Sequence, residues 1–267
     1  MDYPRIRVSQ WTSAKLIRAI VIKYNQVLQM PSHRLAETPL TAHRRTGQLA
    51  QEMTETRATF PCGGLSLEGI SCMPEGKGSL AAVVVCHPHP LYGGMMDNNI
   101  VIAVCRALSQ VSIASLRFNF RGVGRSQGAH DNGIGEQDDV AAALSFLSST
   151  EGIDRDRIGL CGYSFGAGIA LEVATKDELV KALALVSPIL SHSSPLESYV
   201  KPKLLLWGSE DLALPAVDLK SFTEELPEPR QYKVISGADH LWWGYEDKVG
   251  TRVAAFFADT LNPPSQS

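Results

Sequence analysis

The chain has 267 residues and a mass of 29.0 kDa, enough for one large domain or at most two small ones. Hydrophobic residues make up 44% and charged residues 20%, a composition that allows a sizeable core and excludes general disorder. The formal net charge of -3 is too balanced for a dedicated nucleic-acid-binding protein.

The charge is distributed unevenly along the chain. Residues 1–50 contain eight basic and two acidic residues, a net charge of +6, so the remaining 217 residues carry -9. We therefore predict a basic N-terminal extension over residues 1–56 and a globular domain over residues 57–267. Apolar spacing over residues 13–28 is compatible with an amphipathic helix in the extension. A docked appendage and a targeting or membrane-surface segment are both open interpretations of it.

The cysteines predict neither a disulfide framework nor a metal site. Five are present, without a C-x-x-C pair or a Cys/His cluster of zinc-like spacing. We expect buried thiols, no cofactor and a reducing, cytoplasmic location. The apolar run at residues 16–22 is too short to cross a bilayer, so we expect no stable membrane insertion.

From residue 57 onward, short β-rich runs alternate with longer stretches of helical periodicity. The runs that predict strands are 80–86, 113–118, 157–161, 183–186, 203–207 and 231–235. The stretches that predict helices are 97–108, 136–147, 165–174 and 248–258. This alternation predicts an α/β domain with a mostly parallel central sheet and helices on both faces.

A G-x-S-x-G pattern lies between one predicted strand and the helix that follows it. It reads Gly162-Tyr163-Ser164-Phe165-Gly166, where the strand ends just before it and the helix begins within it. A sharp strand-to-helix turn with small neighbours exposes a serine hydroxyl at the carboxyl end of the sheet. Ser164 is therefore the candidate nucleophile.

A serine hydroxyl needs a base, and the base needs an acid to fix its tautomer. His240 follows the last predicted strand, and Asp211 follows the strand at 203–207, so both lie at carboxyl ends. The competing acids are Glu210, Asp218 and Asp239. Asp239 adjoins His240 and is badly directed to orient its ring, and the order Ser164, Asp211, His240 favours Asp211.

Two further blocks carry a family resemblance. Residues 87–94 read HPHPLYGG, and residues 116–126 read LRFNFRGVGRS. With the serine motif, they make residues 57–260 resemble an α/β-hydrolase, similar to the small, lidless bacterial hydrolases of the dienelactone hydrolase-like group. Dienelactone hydrolases use a cysteine nucleophile, whereas Ser164 stands here, which favours an ordinary carboxylester hydrolase.

The resemblance implies an oxyanion hole built from two backbone N–H groups. One belongs to the residue after the nucleophile, Phe165, and the other to the loop after Cys86. Pro88 and Pro90 have no N–H, so we predict His89 as the second donor. We expect His87 and His89 to shape this loop rather than bind a metal, since no third ligand accompanies them.

Four side chains are predicted to border the substrate pocket: Tyr92, Leu91, His192 and Trp242. For Trp242, core packing is an equal alternative. Only residues 187–202 separate the strands at 183–186 and 203–207, where a cap domain usually enters. This connection is too short for a folded lid, so we predict an open cleft and no large cap domain.

Together these features predict a serine hydrolase that acts on carboxylic esters of small to medium acyl chains through an acyl-enzyme. The expected partner is a small-molecule ester, not a nucleic acid. A thioesterase, peptidase or acyltransferase with the same triad is an alternative. A non-catalytic binding scaffold of the same fold is a second alternative.

Overall fold

The computed structural model describes residues 53–75, 78–190, 195–213 and 219–263. The chain divides into two units, Met1–Ala50 and Gln51–Ser267, and all the described residues belong to the second. The helix proposed for residues 13–28 and the pocket candidate His192 lie outside the described residues.

A single sheet of eight strands forms the centre of this unit. The strands are β1 Met53–Cys62, β2 Leu65–Pro74, β3 Leu80–Cys86, β4 Ala114–Phe118, β5 Ile153–Tyr163, β6 Val180–Val186, β7 Lys203–Gly208 and β8 Arg230–Ile235. Their spatial order is β1-β2-β4-β3-β5-β6-β7-β8. β2 runs antiparallel to both neighbours, and every pairing from β4 to β8 is parallel. The predicted mostly parallel α/β sheet is confirmed.

Helices cover both faces of the sheet, as predicted. They are α1 Asn99–Gln110, α2 Gly135–Ser148, α3 Phe165–Ala174, α4 Leu219–Glu224 and α5 Glu246–Leu261. α2 and α3 contribute to one buried apolar cluster, and α1 and α5 contribute to the other. The alternating side chains of the central strands supply both clusters, because successive residues of a strand face opposite sides.

The β1–β2 hairpin is an element that the sequence interpretation missed. Most of β1 is exposed and polar, with only Phe60 and Cys62 buried towards its end, so its apolar pattern is weak. The sequence does contain a local signal, because Gly63 and Gly64 separate the two stretches that pair as β1 and β2. In the structure, Gly63 adopts a positive φ of 57° at this turn. Two glycines at such a junction favour a tight hairpin turn.

The connection from β6 to β7 is as short as the sequence indicated. Its described part contains one 3-10 turn, Pro195–Ser198, and no longer helix. In its described part, the connection at the carboxyl end of β6 therefore carries a turn rather than a folded cap. Within the described residues, no helix has both the length and the apolar character needed to cross a membrane.

Candidate active site

Ser164 lies in a sharp turn between β5 and α3. Its backbone has φ 55° and ψ -113°, a strained combination for a residue with a side chain. A Cβ at Gly162 would lie 2.2 Å from the carbonyl oxygen of Gly166, so only glycine fits so close to the start of the helix. The Ser164 N–H donates to the carbonyl of Val186 (2.9 Å), which fixes the turn to β6.

The structure brings Ser164, His240 and Asp211 into one hydrogen-bonded chain. The Oγ of Ser164 is 2.9 Å from Nε2 of His240, and Nδ1 of His240 is 2.8 Å from Oδ1 of Asp211. A carboxylate only accepts, so Nδ1 carries the proton and Nε2 is left to accept from the serine hydroxyl. All three side chains are buried or nearly so, and they come from the ends of β5, β8 and β7.

The Asp211 carboxylate is stabilised in its charged form. Burial opposes its ionisation, but hydrogen bonds from His240, the Ser187 hydroxyl and the Ala213 N–H outweigh burial and lower the pKa of Asp211. The Ala213 N–H donates to Oδ1 at 2.7 Å. An ionised acid beside His240 is what stabilises an imidazolium when the histidine takes up a proton.

The backbone of His240 is tied to the residue that precedes Ser164. The Tyr163 hydroxyl donates to the carbonyl oxygen of His240 at 2.5 Å. This bond joins the end of β5 to the loop after β8, so the loop that carries the base is anchored beside the serine turn.

Phe165 and His89, the residues predicted to donate to an oxyanion, lie side by side. Their ring centroids are 4.7 Å apart. Phe165 is the first residue of α3, where a helix N-terminus favours negative charge. Among the described residues, neither backbone N–H has a hydrogen-bond acceptor.

His87 shapes the loop that carries His89. Its Nδ1 donates to the Pro88 carbonyl (2.6 Å), and its Nε2 accepts from the Phe120 N–H (3.1 Å). Burial lowers the pKa of His87 to about 4. His87 is thus a neutral histidine whose two ring nitrogens connect the loops after β3 and β4. In the described parts of the chain, no three His, Cys, Asp or Glu side chains are grouped as a metal would need.

Residues of the second sequence block, 116–126, make contacts that support the same loops. Asn119 accepts a hydrogen bond from the Met96 N–H (2.8 Å) and donates to the buried Glu68 carboxylate (2.8 Å). Arg121 forms a close ion pair with the fully buried Asp139, at 2.8 Å between Nη2 and Oδ1. These contacts give the block at residues 116–126 a scaffolding role.

A wall of rings packs around Phe165, the residue after Ser164, and it includes His130, which the sequence interpretation missed. The ring centroid of His89 lies 4.6 Å from that of Tyr92 and 5.0 Å from that of His130. His130 is also 5.6 Å from Phe165 and pairs with the buried Glu136 at 2.8 Å. Burial and the neighbouring His130 lower the pKa of His89 to about 4. No motif marks His130, because only the fold brings its loop to this wall.

The predicted pocket residues differ in how far their side chains are exposed. Leu91 and Tyr92 are exposed at the start of the loop that follows His89, which leaves them free to border a substrate. The prediction that Trp242 borders the pocket was wrong, and the core-packing alternative holds. Its side chain is 0% exposed and packs in an apolar core cluster. The physical reason is that its ring packs in the apolar core and its Nε1–H has a buried acceptor in the Ser187 oxygen, while the next residue, Trp243, is 54% exposed.

Comparison with known proteins identifies the fold family. A family model described as the alpha/beta hydrolase fold matches residues 82–201. An uncharacterised protein of Rickettsia prowazekii is 36% identical over 169 residues, which cover 60% of this chain and 71% of that one. An alpha-beta serine hydrolase homologue from Coxiella burnetii is 31% identical, with a TM-score of 0.66, over 79% of this chain and 99% of that one.

The chain belongs to the α/β-hydrolase superfamily. Another structural relative is a serine hydrolase without a lid from Xanthomonas campestris, with 26% identity, a TM-score of 0.66, and coverage of 83% of this chain and 100% of that one. The α/β-hydrolase fold supports a hydrolase, and the lidless relative agrees with the short connection between β6 and β7.

Proposed function

We propose that the protein is a serine carboxylester hydrolase that acts through an acyl-enzyme. The observation that carries this proposal is the chain of hydrogen bonds from Ser164 through His240 to Asp211, at 2.9 and 2.8 Å. These distances lie within the range that a nucleophile and its general base require.

In the acylation step, Ser164 Oγ attacks the ester carbonyl carbon and His240 Nε2 takes the hydroxyl proton. The carbonyl oxygen becomes an oxyanion that accepts hydrogen bonds from the Phe165 and His89 N–H groups. Collapse of this intermediate breaks the bond to the alcohol, which leaves with the proton from His240. Asp211 stays ionised throughout and stabilises the imidazolium.

Deacylation uses the same groups in reverse. A water molecule gives its proton to His240 Nε2 and attacks the acyl carbon, and the same two N–H groups hold the second oxyanion. Collapse then breaks the bond to Ser164, whose oxygen recovers a proton from His240. The products are a carboxylic acid and the free enzyme.

The surroundings of the site support uncharged esters with small to medium acyl groups. Among the described residues, six exposed large apolar side chains belong to the loops at the carboxyl ends of the strands: Leu91, Tyr92, Met95, Ile134, Leu212 and Trp243. Such a rim favours apolar substrates. The short connection after β6 provides no covered channel of the kind that long lipid chains need.

A panel of nitrophenyl esters of increasing acyl length tests the proposal with the wild-type protein and Ser164→Ala. A Ser115→Ala variant is the matched control, because this serine is at least as buried as Ser164 but lies on β4. We expect turnover of short and medium esters in the wild type and the control, and none above background in Ser164→Ala. Equal turnover in Ser164→Ala would refute the mechanism. Activity on thioesters alone would favour the thioesterase alternative.

A further inference from the structure

The carboxylate of Asp211 has a second side that the reaction itself does not use. Its Oδ1 faces His240, while its Oδ2 accepts a hydrogen bond from the hydroxyl of Ser187. The Ser187 oxygen in turn lies 3.0 Å from Nε1 of Trp242. Trp242 follows His240 by two residues. The hydrogen bonds from His240 through Asp211 and Ser187 to Trp242 therefore form a circuit that begins and ends in the loop after β8.

The direction of every hydrogen bond in this circuit is determined by chemistry. An indole N–H only donates, so the Ser187 oxygen must accept from Trp242. The hydroxyl proton of Ser187 is then left for Asp211, which as a carboxylate only accepts. Trp242 therefore orients the Ser187 hydroxyl, and Ser187 orients the carboxylate.

The backbone at both residues is held in an uncommon conformation. Five residues other than glycine have a positive φ in the described part of the chain, and three of them are Ser164, Ser187 and Trp242. Strain of this kind persists only where the surroundings enforce it, and it concentrates at functional sites. Ser187 is further fixed by its own N–H, which donates to the Leu206 carbonyl at 2.7 Å.

We propose that Ser187 and Trp242 are positioning residues that hold Asp211 at the angle at which it orients His240. The inference rests on the proposed function, because it assigns a role within the same triad. Neither side chain has any exposed surface, so neither touches a substrate. Their hydrogen bonds reach the triad through Asp211.

Loss of the Ser187 hydroxyl frees Oδ2 and lets the carboxylate rotate away from His240. The defect then lies in proton transfer and not in substrate binding. We expect kcat of Ser187→Ala to fall about 10- to 100-fold, the effect of one hydrogen bond to a charged group, while KM changes by less than about twofold. Trp242→Phe keeps an aromatic ring but removes the N–H, and we expect a loss of about 3- to 10-fold.

Three further variants separate positioning from folding. Ser187→Gly removes the hydroxyl but suits a φ of 48°, so it should fold at least as well as Ser187→Ala and show the same loss of kcat. Ser115→Ala removes a similarly buried hydroxyl from a strand four places from β7 and should leave kcat unchanged. Ser164→Ala sets the background.

Two measurements complete the test. The rate at which a fluorophosphonate labels Ser164 depends on the base but not on ester binding, and we expect it to fall with kcat in the Ser187 variants. The far-downfield proton NMR signal of His240 Nδ1–H reports the bond to Asp211, and we expect it to shift or broaden in Ser187→Ala.

The outcomes distinguish this inference from the proposed function. Folded Ser187→Ala and Ser187→Gly proteins with wild-type kcat, labelling rate and NMR signal would overturn the positioning role and leave the esterase proposal intact. A wild type without activity on esters or thioesters would overturn the esterase proposal, and the NMR signal would still decide whether Ser187 orients Asp211.

Discussion

Replacement of Gly166 by alanine should disable the oxyanion side of the site without unfolding the protein. A Cβ at this position would lie 2.5 Å from the carbonyl oxygen of His87 and 2.7 Å from that of Cys86. Carbon and oxygen atoms in contact are normally about 3.3 Å apart or more, so the backbone must separate by about 0.8 Å. Both obstructing atoms belong to the main chain, so no side chain can rotate to relieve the overlap.

This displacement acts on the two N–H groups that we propose as oxyanion donors. Gly166 directly follows Phe165, and His87 is two residues before His89. A donor must lie about 2.7 to 3.1 Å from the oxyanion, so a shift of about 0.8 Å takes one of them out of range. We expect kcat to fall roughly 100- to 1000-fold, the effect of losing one donor. The overpacking should lower the free energy of unfolding by about 1 to 3 kcal/mol.

Gly168→Ala is the matched control, since it lies in the same helix and no atom lies within 4 Å of the position that its added methyl group would occupy. We expect unchanged kcat and a gain in stability of about 0.5 to 1 kcal/mol, because alanine loses less backbone freedom than glycine. The assays are ester turnover under saturation and urea unfolding at pH 7. A folded Gly166→Ala protein with kcat within about threefold of wild type would refute the argument that this contact sets the donor geometry.

Three other predictions concern buried ionisable groups, each measured by urea unfolding. Burial lowers the pKa of Lys203 from 10.5 to about 8, so the unfolded chain binds more protons between these values. The Lys203 contribution, taken as the free energy of unfolding of the wild type minus that of Lys203→Met, should therefore rise by up to about 3 kcal/mol from pH 8 to pH 10.5. The difference is used because the raised pKa values of the buried cysteines lower the stability of both proteins over the same range. Burial also lowers the pKa of His87 from 6.5 to about 4. The contribution of His87 to the free energy of unfolding should accordingly fall by up to about 3 kcal/mol as the pH drops from 6.5 to 4. The His87→Gln variant should therefore lose less stability than the wild type over this range. Equal pH curves for the two proteins would contradict the lowered pKa of His87. Asp139→Asn leaves Arg121 without its charged partner and should cost roughly 3 to 5 kcal/mol at pH 7, whereas a cost below about 1 kcal/mol would show that solvent screens the pair.

The parallel part of the fold could be predicted because its signals are local. A strand buried on both faces, such as β3, is a continuous apolar run, and the helices beside it repeat at 3.6 residues. The convergence of Ser164, Asp211 and His240 follows from the same pattern, since parallel strands end at one edge of the sheet. The β1–β2 hairpin was not predicted, because most of β1 faces solvent at the edge of the sheet and lacks an apolar pattern.

Side-chain direction is what the sequence could not provide. Trp242 and Trp243 are adjacent and chemically identical, yet Trp242 is buried in the core while Trp243 is exposed to solvent. Ser187 is one serine after a strand, with no motif around it, and its contact with Asp211 depends on the sheet order that places β6 beside β7. His130 is likewise brought to the site by the fold of its loop.

The two sides of the site are supported in different ways, and this has consequences for how they fail. The oxyanion side depends on the close main-chain approach of Gly166 to the His87 carbonyl, with the Phe120 N–H donating to the His87 ring. On the acid side, Asp211 accepts from the Ser187 hydroxyl, which Trp242 orients, and from the Ala213 N–H. Main-chain displacement changes packing as well as geometry, so substitutions on the oxyanion side should lower stability and kcat together. Removal of the Ser187 hydroxyl leaves the packing nearly intact but takes away the partner of the Trp242 N–H and of Asp211 Oδ2. Substitution of Ser187 should therefore lower kcat through lost hydrogen bonds, with a cost in stability of about 1 to 3 kcal/mol.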